Sequence, residues 1–170
     1  MMNAKVRELL NDQINKEFYS AYLYLDFSNY YERAGLDGFA NWYRIQAQEE
    51  RDHAMLFYDY LQNNDELVEL KAIAMPDKVF TENMGPLKAA LEHEEYVTSL
   101  INDIYAAAYD VRDFRTMQFL DWFVKEQGEE ETNARDMITK MELFGNDPKS
   151  LYMLNNELLA RVYTAPSLVL

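Results

Sequence analysis

Residues 37–64 read DGFANWYRIQAQEERDHAMLFYDYLQNN, and the apolar positions Phe39, Trp42, Tyr43, Phe57, Tyr60 and Leu61 recur at steps of three and four. That is the repeat of one face of an α-helix. Two polar residues, Glu50 and His53, fall on the same face in the middle of the stripe. A core stripe interrupted in this way decides both the fold class and the chemistry.

The same pattern recurs on either side. Val6, Leu10, Gln13, Ala21, Tyr24 and Phe27 form a stripe from Asn3 to about Arg33 that carries Glu17. Leu87, Ala90, Leu91, Val97, Ile101, Ile104 and Ala108 form one that carries Glu94. Met117, Leu120, Phe123, Ala134, Met137, Ile138 and Met141 form one that carries Gln127 and Glu130. The spacing predicts helices over about 3–33, 38–64, 83–110, 114–142 and, after Gly145-Asn146-Asp147-Pro148, a short fifth over 149–163. Gly35 is expected to end the first and Asp37 to cap the second, while Pro86 marks the entry to the third. The terminal Ser167-Leu168-Val169-Leu170 has no evident partner.

Short links make helices one and two, and helices three and four, antiparallel pairs. The link over about 65–82 is longer and aperiodic. A helix of about 28 residues is ~42 Å long, and about 16 extended residues reach ~50 Å. The link can therefore run the length of the bundle, which predicts an all-α four-helix bundle with one long crossover between helices two and three. With 170 residues, a single domain over 1–170 is expected.

Composition narrows the function. Thirty Asp and Glu against 16 Lys and Arg give a formal net charge of −14, a field that repels nucleic acid and anionic membranes and attracts cations. No run approaches a membrane span, and the charged start MMNAKVRELL lacks the apolar core of a secretion signal. A cytoplasmic location is expected. Zero Cys removes disulfides, thiolate zinc sites and a Cys nucleophile, so a metal here is held by oxygen and imidazole.

The polar residues on the core stripes point to such a metal. A lone buried carboxylate costs several kcal/mol or takes up a proton, yet Glu17, Glu50, His53, Glu94, Gln127 and Glu130 all point inward. Thirty-three residues separate Glu17 from Glu50, and 33 separate Glu94 from Gln127, so both halves share one spacing. Glu50-Arg51-Asp52-His53 is Glu-x-x-His, which aims a carboxylate and an imidazole along one helix face. Several carboxylates with one neutral imidazole suit paired divalent iron or manganese. The alternative is a proton-sharing polar network that only fixes helix register. Glu49, Glu126 and Glu129 flank these positions, and spacing alone admits both a third cation site and a solvated acidic face. Tyr24 and Trp122 lie close in sequence to the same positions, either as electron donors or as packing. His93 points about 100° away from Glu94 and reads as a flank residue.

NDQINKEFYSAYLY (11–24), FANW (39–42), AQEERDHA (47–54), EHEEY (92–96) and FLDWFVKEQGEEE (119–131) together resemble the bacterial non-haem ferritins, essentially over the full chain. The resemblance implies a ferroxidase: Glu17, Glu50 and His53 hold one Fe2+, Glu50, Glu94 and Glu130 hold a second with Gln127 close by, and O2 or H2O2 oxidises the pair. It implies a third iron site at Glu49, Glu126, Glu129 and Glu130, and places Tyr24 beside the di-iron centre. It also implies iron storage as an oxyhydroxide mineral inside a hollow homo-oligomeric shell of 24 subunits, with the fifth helix lining a channel. Bacterioferritins and rubrerythrin-like proteins carry a second Glu-x-x-His where this chain has Gln127-Gly128-Glu129-Glu130, and the haem-ligand Met of bacterioferritin falls at Asp52, so no haem is expected.

Overall fold

The computed structural model describes residues 2–170. Five helices follow in order, α1 (Ala4–Arg33), α2 (Asp37–Asn63), α3 (Met84–Asp110), α4 (Phe114–Phe144) and α5 (Pro148–Leu159), with no strand among the described residues. Their starts are set by capping. Asn3 accepts from the Lys5 and Val6 amides, Asp113 from Thr116 and Asp147 from Ser150, each satisfying first-turn donors that have no partner inside the helix.

α2 begins differently from the expectation. Asp37 is its first residue rather than its cap, and Leu36, at the cap position, has no side-chain oxygen to offer. The acceptor comes from α5: Asn155 Oδ1 receives the Gly38 amide at 2.8 Å and the Phe39 amide at 3.4 Å, while Asn155 Nδ2 donates to Asp37 Oδ1 at 2.7 Å.

The crossover runs along α1 as the length argument requires. Arg7 pairs with Glu66 near the start of α1, and Asn11 exchanges two hydrogen bonds with the Glu69 backbone, at 3.0 and 2.8 Å. Asn15 donates to Ala72 O at 3.0 Å. At the far end Phe80 packs edge-on against Phe27, and the Tyr31 hydroxyl donates to Asn83 O at 2.6 Å. Helices α2 and α3 are therefore parallel.

The core is divided into two apolar clusters. One holds Tyr24, Phe27, Tyr31, Phe39, Tyr43, Leu87, Met137 and Met141, with Leu154 and Leu158 docking α5 onto it. The other holds Leu10, Ile14, Phe57, Tyr60, Ile101, Phe119, Leu120 and Phe123. The polar residues of the core stripes lie on the chain between these two sets in every helix of the bundle.

Two sequence readings change at the C-terminus. α5 stops at Leu159 instead of 163: the Ala160 and Arg161 amides turn back to Glu157 O and Leu158 O, both at 3.2 Å, which tightens and ends the helix. The terminal segment does have partners, since Ser167 Oγ accepts from Trp122 Nε1 at 3.0 Å and Leu168 packs on the second apolar cluster.

Candidate metal centre

Each half of the bundle contributes carboxylates from the middle of its helices. α1 and α2 present Glu17, Glu50 and His53, all buried, whose ligating atoms lie within 4.8 Å of one another. The His53 ring nitrogen Nδ1 is 3.5 Å from Glu50 Oε2, and the ring sits edge-on to Trp122 and Phe123. Gln13, one turn before Glu17, donates to Glu17 Oε1 at 2.7 Å. Glu17 Oε2 is buried with no hydrogen-bond partner. An orphaned carboxylate oxygen costs about 1–3 kcal/mol or more, and its position beside Glu50 and His53 is what a cation would satisfy.

α3 and α4 present Glu94, Gln127 and Glu130, also buried. Each carboxylate is held by neutral donors. The Tyr24 hydroxyl donates to Glu94 Oε1, and Gln127 Nε2 donates to Glu94 Oε2 at 3.1 Å and to its carbonyl at 3.3 Å. Gln46 Nε2 donates to Glu130 Oε2 at 2.8 Å, and Gln46 Oε1 is left buried without a partner. Glu94 and Glu130 fall outside the close grouping of Glu17, Glu50 and His53.

The charges repel across this space. Burial raises all four carboxyls above the usual carboxylate range. Glu50 is pushed further by Glu94 and Glu130, and Glu17 by Glu50. Glu130 is pushed up to about 8, by burial first and by Glu94 second. No Lys or Arg is buried among the described residues; His53 is the one base among these acids, and its pull on Glu17, Glu94 and Glu130 does not outweigh burial. Tyr24 is held protonated by burial and by Glu94, which keeps it a donor.

Tyr24 also packs with Phe27 and Tyr43, so it serves both core and carboxylate. His93 stands apart, as its spacing indicated. Its Nε2 is 2.7 Å from Ser20 Oγ, and burial, with Lys78 nearby, lowers it to about 4, so it is neutral.

The outer carboxylates are less converged. Glu49 is taken by Arg161, 2.7 Å away, and Glu129 lies 3.7 Å from Lys125. Glu126 is half-buried, and burial raises both it and Glu49. A Cβ at Gly128, among these residues, would meet nothing within 4 Å, so no close packing demands glycine there.

Sequence reasoning passed over Gln13, Gln46 and Arg161. Gln13 and Gln46 sat on the core stripes four residues before Glu17 and Glu50, the same 33-residue spacing apart, and that repeated offset was the available signal. Arg161 had none, because its partner lies 112 residues away.

Comparison with known proteins identifies the family and the fold. A family model described as a ferritin-like domain matches residues 7–144. A bacterial non-heme ferritin of Staphylococcus haemolyticus is 36% identical over 163 residues, covering 96% of this chain and 98% of the relative. One of Campylobacter jejuni is 37% identical over 153 residues, covering 90% and 92%. Among solved structures, the open-pore ferritin of Archaeoglobus fulgidus superposes with a TM-score of 0.92 at 40% identity, over 95% of this chain and all of that one. An engineered closed form of that protein gives 0.93 at 40% identity, over 96% of this chain.

Proposed function

The chain belongs to the ferritin family, and from that premise we propose that it stores iron by oxidising Fe2+ at a di-iron centre within each subunit. Glu17, Glu50 and His53 hold one Fe2+; Glu50, Glu94 and Glu130 hold the other, with Gln127 beside it. Two Fe2+ supply two electrons, which with two protons reduce O2 to H2O2, or H2O2 to two waters. Fe3+ then hydrolyses and moves to a ferric oxyhydroxide mineral.

The supporting observation is the partnerless Glu17 Oε2 beside Glu50 and His53, in a core with no buried Lys or Arg among the described residues. A register-fixing network could satisfy that oxygen only by keeping a proton between Glu17 and Glu50, whereas a cation satisfies both carboxylates without one. Four acids at one level also repel, and two divalent ions reverse that balance. Metal ions displace the protons that burial favours, while Tyr24 and Gln127 steady Glu94 and Gln46 steadies Glu130. We extend the proposal to a third site at Glu49, Glu126, Glu129 and Glu130 and to a cytoplasmic shell of 24 subunits. No helix is long and apolar enough to cross a membrane among the described residues.

Iron retained per chain tests the reading. Metal-free protein is loaded stepwise with Fe2+ in air, desalted, and its soluble iron counted. Retention far beyond the two or three ions that side chains can ligate supports storage. Retention that stops there favours a di-iron enzyme that stores nothing, and no retention returns the carboxylates to a structural role.

A further inference from the structure

After α5 the chain turns back and lies along α2 and α4. Asn41 Nδ2 donates to Leu158 O and Arg161 O, at 3.3 and 3.2 Å. The Tyr163 hydroxyl donates to Asp52, next to His53. Ser167 and Leu168 then reach Trp122 and the second apolar cluster. The segment is a strap that passes the level of the candidate centre.

Arg161 is its most constrained residue. The guanidinium lies 4.0 Å from the centre of the Trp42 ring, donates to Trp42 O at 3.1 Å and to Glu49 Oε2 at 2.7 Å, and both Arg161 and Glu49 side chains are only 18% exposed. A guanidinium placed in this way is a built-in counter-cation for Glu49.

We propose that Arg161 sets the affinity of the outer iron site, holding Glu49 until an incoming ion displaces it and loosens the strap. The proposal rests on the reading of Glu49, Glu126, Glu129 and Glu130 as that site. The charges require a competition. The Glu49 oxygen paired with Arg161 cannot also face a divalent ion without bringing two cations together in a partly buried space. The ions of the inner centre meet no such rival, since no Lys or Arg is buried there among the described residues and His53 is read as a ligand to them rather than a competitor. The inner positions therefore fill first and the outer one last, at the cost of the Arg161 contacts.

Calorimetric titration of the metal-free protein with redox-inert Zn2+ tests this in the wild type, Arg161→Gln, Arg161→Lys and Glu49→Gln. Arg161→Gln should tighten the third binding step roughly three- to tenfold, the scale of a partly exposed ion pair, and leave the first two steps unchanged. Arg161→Lys keeps the competing charge and should stay close to wild type, and Glu49→Gln should lose the third step. If Glu49→Gln loses the third step while Arg161→Gln binds as wild type does, the role of Arg161 is overturned and the outer site stands. If Glu49→Gln keeps the third step, the outer site itself is misassigned and the proposal falls with it.

Discussion

The hydroxyl of Tyr24 on α1 donates to Glu94 Oε1 on α3, so a side chain of the aromatic core ends on a carboxylate of the candidate centre. Burial raises Glu94, and the hydrogen bonds from Tyr24 and Gln127 lower it. Tyr24→Phe removes one of these donors and should raise Glu94 further. A hydrogen bond to a charged group contributes about 1.5–3 kcal/mol, so the second Zn2+ should bind roughly tenfold or more weakly at the lower of two pH values and recover at the higher, where the proton leaves anyway. Calorimetry at both pH values checks this. An equal loss at both would mean that Tyr24 does not act through the proton on Glu94.

The raised carboxyls fix how stability depends on pH. Glu17, Glu50, Glu94 and Glu130 hold protons more tightly in the folded chain than a solvent-exposed carboxyl does. The folded state then binds more protons than the unfolded one, and stability falls as pH rises. Their contribution is fully present below about 4.5 and is lost as pH climbs through the folded values, that of Glu130 being about 8. The Tm of the metal-free protein should therefore drop between pH 5 and pH 8. Zn2+ should oppose the drop and release protons when it binds, measured as a dependence of binding heat on buffer ionisation enthalpy.

Glu50 separates a metal site from a structural network. It lies between Glu17 and His53 on one side and the charges of Glu94 and Glu130 on the other. Glu50→Gln removes the need to bury a charge or take up a proton at the most crowded of these positions, so the metal-free Tm near pH 7.5 should rise by roughly 2–4 °C for each kcal/mol relieved. The rise in Tm on adding Zn2+ should disappear. A network built to fix register predicts the reverse, a lower Tm in the variant and no response to Zn2+ in either protein.

Periodicity made the inward faces legible because a helix buries what recurs at three and four, and Glu17, Glu50, Glu94 and Glu130 are indeed buried. The long crossover was legible from chain length, since only an extended run reaches from Glu66 to Asn83 along α1. What escaped were contacts between segments distant in sequence. Leu151, Leu154, Leu158 and Val162 keep helical spacing, so nothing local marks the turn after Leu159 that brings Arg161 to Glu49 and Tyr163 to Asp52. Asp37 looked like a cap because Asp is a good one. The side chain that caps α2 is instead Asn155, more than 100 positions later.

That long-range cap predicts how α5 is attached. A Cβ added at Gly38 would lie 1.7 Å from Asn155 O and 2.9 Å from Asn155 Oδ1. The first of these is backbone, so α5 itself must move. Gly38→Ala should cost about 3 kcal/mol, the upper end of ordinary overpacking, or a Tm loss of roughly 6–12 °C for a chain of this size. Asn155→Ala removes the acceptor for the Gly38 and Phe39 amides without pushing on the backbone. It should cost about 1–2 kcal/mol, as other lost caps do. Thermal unfolding of the two variants at one metal loading compares them. If Asn155→Ala proves the more damaging, the cap rather than the close approach at Gly38 holds α5 to the bundle.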